Sequence, residues 1–241
     1  MKIKPIAFLS AAPSSASISS KESPLSKTRI RYVLVALLLS SLAVAQGGQS
    51  GFDALYRDRN QTAFNTDPSA FLVSAIKDVK PGKALDVATG QGRNAVYLAT
   101  KGWEVTGFDI AEEGLKAANE NAAKAGVAIT TLKARLEDFD YGAACWDLIC
   151  FIYVPTELTV DPRFIARIRT ALKPGGLVPI IRPLRSLTAP QPGWEESESD
   201  KMNALPSAWS DLQIVFYEDT TEMAEWFHSR GRIVRLLARK L

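Results

Sequence analysis

The sequence holds one histidine and two cysteines in 241 residues. With His228 alone, a metal centre built on several imidazoles is excluded. Cys145 and Cys150, without further partners, exclude a disulfide scaffold and a cysteine-based zinc site. Fixed-period repeats are absent. Hydrophobic residues make up 46% and charged residues 23%, with 15 Gly and 13 Pro, so the chain is neither disordered nor collagen-like. This length fits one domain of ordinary size, with two small ones as the alternative.

A basic surplus is also missing from most of the chain. The formal net charge is +3, yet residues 1–45 hold Lys2, Lys4, Lys21, Lys27, Arg29 and Arg31 against Glu22 alone. The remainder carries 23 basic and 25 acidic residues, a net of −2, and offers no electrostatic footprint for nucleic acid. The leader itself has an order: basic residues up to Arg31, then an uncharged apolar run from Tyr32 to Ala45. That run is shorter than the roughly 20 residues of a membrane span. Ala43 and Ala45 supply the small residues of a signal-peptidase site, so residues 1–45 read as a secretory signal for export, or an uncleaved anchor. If translation starts further downstream, the product is cytoplasmic.

Residues 46–65 are polar and read as a linker or loosely attached arm, and residues 66–241 as the domain. Asp67 and Pro68 predict a helix start, with Phe71, Leu72, Ala75, Ile76 and Val79 at helical spacing. Alternation follows: strand 83–87, helix 93–101, strand 103–108, helix 112–124, then strands 128–134 and 146–153. Asp161-Pro162 predicts a helix to Leu172, and Lys173-Pro174-Gly175-Gly176 a turn into a strand at 177–181. Strands alternating with helices argue a parallel α/β sheet. The runs 212–217 and 232–238 close it as an antiparallel pair.

The chemistry concentrates in Asp86-Val87-Ala88-Thr89-Gly90-Gln91-Gly92-Arg93-Asn94. Gly90 and Gly92 lie between a strand and a helix, where missing Cβ atoms let a ligand approach the backbone and the helix N-terminus offers free N–H groups. The spacing of Gly90, Gly92 and Ala95 also fits a dinucleotide turn. Two carboxylates separate the ligands. Asp109 ends the second strand 17 residues beyond Gly92, where it can accept from ribose hydroxyls. Asp86, four residues before Gly90, would repel a pyrophosphate and suits a ligand with an ammonium or sulfonium.

DVATGQGR resembles the D-x-G-x-G-x-G motif of class I S-adenosylmethionine-dependent methyltransferases, with Ala88 for the first glycine. GFDI resembles their ribose-binding strand end and LKPGG the turn before their fifth strand. GQGRNAVYLATKGWEVTGFD and the terminal RIVRLLARK resemble the tellurite-resistance-type branch. The resemblance covers residues 71–241 and implies a Rossmann-like, doubly wound seven-stranded sheet with S-adenosyl-L-methionine as cofactor. It implies that Asp86 orients the cofactor's amino acid end, with Ala88, Gly90, Gly92 and Asn94 close by. Asp109 would bind the ribose and Ile110 the adenine. Leu136 and Glu137 would meet the adenine edge, and Phe151 to Tyr153 would lie beneath the methyl group.

The sequence departs from that pattern in places. Arg135 stands where an acidic residue often faces the adenine amine. Ala224 and Glu225 replace a His-Arg pair, and Pro179 and Pro183 interrupt the fifth strand. Cys150 reads as a packed thiol, facing away from Cys145. Trp194, Trp209 and Trp226 serve a substrate pocket or plain packing. The acidic run 195–200 is a solvated loop where a lid could sit.

Methyl transfer is an in-line displacement that depends on alignment and exclusion of water. An oxygen or nitrogen acceptor needs a base; His228, Glu218 and Tyr153 are the catalytic candidates, with Asp219 and Glu222 as further carboxylates. With no paired base and nucleophile, a small thiol or chalcogen oxyanion is the expected acceptor, nucleic acid is not, and no metal is expected. The other classes are a non-catalytic cofactor-binding or scaffold protein and, further off, a nicotinamide-dependent oxidoreductase.

Overall fold

The computed structural model describes residues 49–57, 65–154, 157–183, 201–225 and 230–241. The expected leader, the acidic run 195–200, Trp194, Trp226 and His228 lie outside the described residues.

Seven strands form one sheet in the order β3-β2-β1-β4-β5-β7-β6. They are β1 (Lys83–Val87), β2 (Glu104–Asp109), β3 (Thr130–Lys133), β4 (Trp146–Ile152), β5 (Leu172–Pro183), β6 (Gln213–Met223) and β7 (Arg230–Arg239). The helices are α1 (Gln49–Arg57), α2 (Ala70–Ala75), α3 (Arg93–Thr100), α4 (Glu112–Lys124), α5 (Pro162–Ala171) and α6 (Ala204–Ala208). β1 runs parallel to β2 and β4, β2 to β3, and β4 to β5, while β7 is antiparallel to both β5 and β6. The α/β sheet with its antiparallel C-terminal pair is the architecture the sequence implied.

Central strands buried on both faces read as continuous apolar runs. In β1 and β4, alternate residues feed two apolar layers. Leu85, Val87, Ile149 and Phe151 pack with Phe164, Ile165 and Ile168 of α5 on one side. Ala84, Leu148, Cys150 and Ile152 pack with Leu72, Ala95 and Leu98 of α2 and α3 on the other. α4 carries Glu112 and Glu113 in its first turn and Lys124 in its last, which suits its dipole, and buries Leu115, Ala118 and Ala122 on one stripe. α5 starts as expected: the Asp161 carboxylate accepts from the backbone N–H groups of Arg163 and Phe164, and Pro162 takes the first turn.

Three boundaries differ from expectation for local reasons. α2 begins at Ala70 after Ser69, not at Asp67-Pro68, and is shorter than its apolar spacing suggested. The Ser69 N–H donates to Asn94 Oδ1 (3.0 Å) and the Ala70 N–H to Glu225 Oε1 (3.0 Å), which pins the helix start by long-range partners. The Lys173–Gly176 segment is not a turn ahead of β5 but lies within it, accommodated by a register shift between Trp146 and Leu148 of β4. Gly175, at φ +81°, makes that shift possible and donates its N–H to the Lys240 carbonyl. β5 also continues through Pro179 and Pro183, which pair in register with Leu237 and Ile233 of β7, so neither proline breaks it. The largest departure is at residues 49–57: they form α1, packed on α4, where the sequence suggested a linker or loosely attached arm.

Candidate cofactor and methyl-transfer site

In an open α/β sheet, ligands bind outside the carboxyl ends of the strands where the winding reverses. Here β1 leads outward to β2 and β3 on one side and is flanked by β4 on the other, so the reversal falls between β1 and β4. Asp86 and Asp109 lie at the carboxyl ends of adjacent parallel strands, with Asp86 in register with Gly107.

The glycine turn is built on left-handed backbone. Ala88, Gly90 and Gly92 have φ of 54°, 53° and 78°. Internal bonds hold the turn: the Thr89 N–H donates to the Phe108 carbonyl (3.0 Å) and the Gly92 N–H to the Thr89 carbonyl (2.8 Å). A Cβ on Gly92 would stand 2.8 Å from the Ala118 Cβ, so this glycine serves the close packing of α3 on α4. Ala88 is the position where the sequence departs from the glycine pattern. An L-residue in this region costs roughly 1 to 2 kcal/mol. Ala88→Gly is therefore expected to raise stability by about 0.5 to 1 kcal/mol after the added unfolded-state entropy is subtracted, read as a higher midpoint in chemical denaturation.

Both carboxylates are buried. Asp86 is 2% exposed, and burial pushes its carboxyl up to about 6, against the hydrogen bonds from the Thr89 hydroxyl and the Ala95 backbone and the nearby positive charge of Arg93. Its Oδ2 accepts from Thr89 Oγ1 at 2.7 Å. Asp109 is 6% exposed, and burial raises its carboxyl despite backbone donors. Oδ2 accepts from the Gly90 N–H (2.9 Å) and Oδ1 from the Ala111 N–H (2.8 Å). Asp109 thus ties the glycine turn to the start of α4, and each oxygen keeps a further lone pair for a hydroxyl. Two acidic groups kept dry at adjoining strand ends fit a cationic, ribose-bearing ligand and oppose a pyrophosphate.

Several expected residues take other roles. Asn94 is buried and spends its Oδ1 on Ser69, so it braces α2 rather than facing a ligand. Phe151 is fully buried in the core between the rings of Phe164 and Trp209, and is placed with the packing, not beneath a reacting group. Trp209 is itself fully buried, donating Nε1–H to the Thr159 carbonyl, and is core. Ile110 is half-buried beyond β2. Leu136 packs against the core and gives its carbonyl to Tyr141 Oη, and exposed Glu137 lies 3.7 Å from Arg135. Cys150 is buried, its thiol pushed well up by burial and by Asp86, as a packed thiol should be. Cys145 donates to the Tyr141 carbonyl.

The candidate carboxylates of β6 are ion-paired. Glu218 of β6 is paired with Arg235 at 2.6 Å, Glu222 is paired with the same guanidinium, and Asp219 forms two bonds to Arg232 at 2.7 and 2.8 Å. The Oε2 of Glu218 is thus engaged by a guanidinium rather than left open to an acceptor. Tyr153 follows the end of β4 at φ 61°, with the Arg93 guanidinium 5.7 Å over its ring and its Oη accepting the Glu225 N–H at 2.9 Å. Burial raises its phenol. Glu225, noted in the sequence only as a departure, connects β6, α2 and Arg93 (3.9 Å).

One residue of this site was not anticipated. Tyr56 of α1 is 7% exposed, and a Cβ on Gly90 would overlap its hydroxyl, while one on Gly114 would stand 3.1 Å from its ring. Asp109, Asp86 and Arg93 all act on its phenol electrostatically. The sequence signal was slight, one of two aromatic rings, Phe52 and Tyr56, in a short polar segment.

Seven strands in this order around two buried carboxylates define a Rossmann-like, cofactor-binding α/β domain. Comparison with known proteins agrees: residues 84–176 match the family described as "Methyltransferase domain". The chain is similar to the probable S-adenosyl-L-methionine-dependent methyltransferase TehB of Haemophilus influenzae. In one strain the identity is 27% over 199 residues, covering 78% of this chain and 66% of the relative. In another it is 37% over 79 residues, covering 33% and 26%. A crystal structure of TehB from Haemophilus influenzae superposes with a TM-score of 0.60 at 23% identity over 78% of this chain and 66% of that one. Ribosomal RNA small subunit methyltransferase C of Alcanivorax borkumensis is 30% identical over 123 residues, 46% of this chain and 36% of the relative. The chain spans about a quarter to two thirds of the length of the curated relatives it matches. A methyltransferase domain thus matches residues 84–176, and over 78% of its length the chain is similar to the S-adenosyl-L-methionine-dependent methyltransferase TehB.

Proposed function

We propose that the chain transfers a methyl group from S-adenosyl-L-methionine to a small, soft or already ionised acceptor such as a thiol or chalcogen oxyanion. The observation that carries the cofactor reading is the pair of buried carboxylates, Asp86 and Asp109, at the ends of β1 and β2 over a left-handed glycine turn. The cofactor supplies a sulfonium-activated methyl group. For the chain's own part, Asp86 pairs with the ammonium, Asp109 accepts from ribose hydroxyls, and the two apolar layers keep the strand ends dry. Among the described residues, the carboxylates Glu218, Asp219 and Glu222 of β6 are held by arginines. That supports an acceptor whose lone pair attacks without first losing a proton. The net of −2 outside residues 1–45 supports a small molecule over nucleic acid, although an rRNA methyltransferase is among the relatives.

A radiolabelled methyl assay across small thiols, selenium and tellurium oxyanions, protein, DNA and RNA tests this reading. Label is expected chiefly in the small acceptors. Label chiefly in a macromolecule would overturn it. The alternative of a non-catalytic binding protein draws on the apolar run Tyr32–Ala45, since an exported chain would lack a local cofactor supply. Cell fractionation with sequencing of the mature N-terminus decides export, and binding without turnover on any acceptor would favour that alternative.

A further inference from the structure

We propose that Glu225 is a positioning residue for the ammonium site: its carboxylate holds the Arg93 guanidinium off Asp86, which keeps Asp86 for the cofactor's ammonium. This rests on the methyltransferase reading above and on the place of Asp86 in it. Arg93 is the first residue of α3, and Asp86 accepts from the backbone of the same helical turn, at Ala95. The arginine side chain is anchored elsewhere. Nη1 donates to the Asp67 carbonyl at 2.9 Å, the guanidinium lies 5.7 Å over the Tyr153 ring, and Nη2 stands 3.9 Å from Glu225 Oε2. Glu225, two residues beyond β6, is fixed from two other elements: its Oε1 accepts the Ala70 N–H of α2 at 3.0 Å, and its own N–H donates to Tyr153 Oη at 2.9 Å.

The need for such a counter-charge follows from burial. The Arg93 side chain is 7% exposed and that of Glu225 18%, so water screens the pair little and a carboxylate close by has to balance the guanidinium. Three carboxylates act on it, Glu225 most strongly, then Asp86, then Asp67. Asp67 is exposed, and solvent weakens its pull. With Glu225 uncharged, the buried counter-charge left to Arg93 is Asp86, and an ammonium then has to displace a guanidinium to reach it. The hold of Glu225 on Arg93 is ionic: Oε2 is buried and has no hydrogen-bond partner. A neutral amide at this position therefore keeps an oxygen for the Ala70 N–H and gives up Arg93. Four titratable groups interact with Asp86: Arg93 of α3, Asp109 of β2, the Tyr56 phenol of α1 and the Cys150 thiol of β4. Burial keeps the phenol and the thiol protonated, so Arg93 is the cation among them.

Calorimetry on the full chain with two probes tests the assignment: S-adenosylhomocysteine, which has the ammonium, and 5′-methylthioadenosine, which lacks it. At about pH 8, where Asp86 is ionised, Glu225→Gln is expected to weaken S-adenosylhomocysteine binding about tenfold, the lower end of what an opposite charge does to a neighbouring carboxylate. Binding of 5′-methylthioadenosine should change less than about twofold, which also shows that the variant is folded. Asp109 can accept from the ribose of both probes, so the ratio of the two affinities isolates Asp86. In the wild type this ratio should fall below about pH 6, as Asp86 takes up a proton. In Glu225→Gln the guanidinium favours the ionised carboxylate, and the fall should begin about one pH unit lower. In an Arg93→Met background, Glu225→Gln should alter S-adenosylhomocysteine binding less than about twofold, because it acts through the guanidinium. Equal losses for the two probes, no loss, an unmoved pH dependence, or the same loss with and without Arg93 would overturn the proposal. Loss of S-adenosylhomocysteine binding alone in Arg93→Met would overturn it too, by making the guanidinium a ligand rather than a competitor. A wild-type chain that binds neither probe would overturn the methyltransferase reading itself, a result separable from failure of Glu225 alone.

Discussion

Asp86→Asn is expected to make the protein more stable and nearly unable to bind its cofactor. The folded carboxyl sits at about 6 against an ordinary 3.8, because burial disfavours the ionised form more than its hydrogen bonds favour it. A carboxyl raised in this way adds nothing unfavourable below the unfolded value. It destabilises progressively as pH rises from about 4 to about 6, and by a constant amount above. The full difference corresponds to about 3 kcal/mol. Asn keeps an acceptor for Thr89 and carries no charge, so denaturation at pH 7 should show a gain of about 1 to 3 kcal/mol that disappears at pH 4. Binding moves the opposite way. A cationic ammonium beside Asp86 lowers its pKa, so wild-type affinity should fall by up to about tenfold per pH unit below pH 6. Asp86→Asn should abolish that dependence while costing about two orders of magnitude or more in affinity at neutral pH. Unchanged affinity would mean that Asp86 faces no ligand.

Asp109→Ala is expected to damage the fold as well as the site. The sequence alone suggests a ribose ligand whose removal leaves the protein intact. Its two oxygens instead hold the buried N–H groups of Gly90 and Ala111, and alanine leaves both unpaired. At about 1 to 3 kcal/mol for each stranded donor, the loss is about 2 to 6 kcal/mol, a large share of a typical domain's stability. A denaturation midpoint unchanged from wild type would show that water or a backbone shift satisfies both groups.

The fold was legible because the central strands are continuous apolar runs separated by good helix signals, such as Asp161-Pro162 and the acidic first turn of α4. The two carboxylates were legible for the same reason: each ends a strand and precedes a turn. Roles decided by distant partners were not. Asn94 is engaged by Ser69, 25 residues away, and Glu218 by Arg235 across a strand pair. Phe151 was placed by its position in β4, but the alternation of the strand turns it to the opposite layer from Cys150 and Ile152. Tyr56 escaped because α1 is polar and short, and its one buried ring is explained only by two glycines far along the chain.

The order of the strands has a consequence for how the protein is made. β7, formed by residues 230–239, is made after the other six strands of the described sheet, yet it lies inside the sheet between β5 and β6. Until it leaves the ribosome, β5 presents an open hydrogen-bonding edge and β6 has no neighbour in the sheet. The half from β1 to β5 can assemble as the chain emerges, whereas closure waits for residues 230–239. The nascent chain therefore carries an exposed, apolar strand edge through much of its synthesis, the kind of edge that chaperones bind and that pairs wrongly when it is left open.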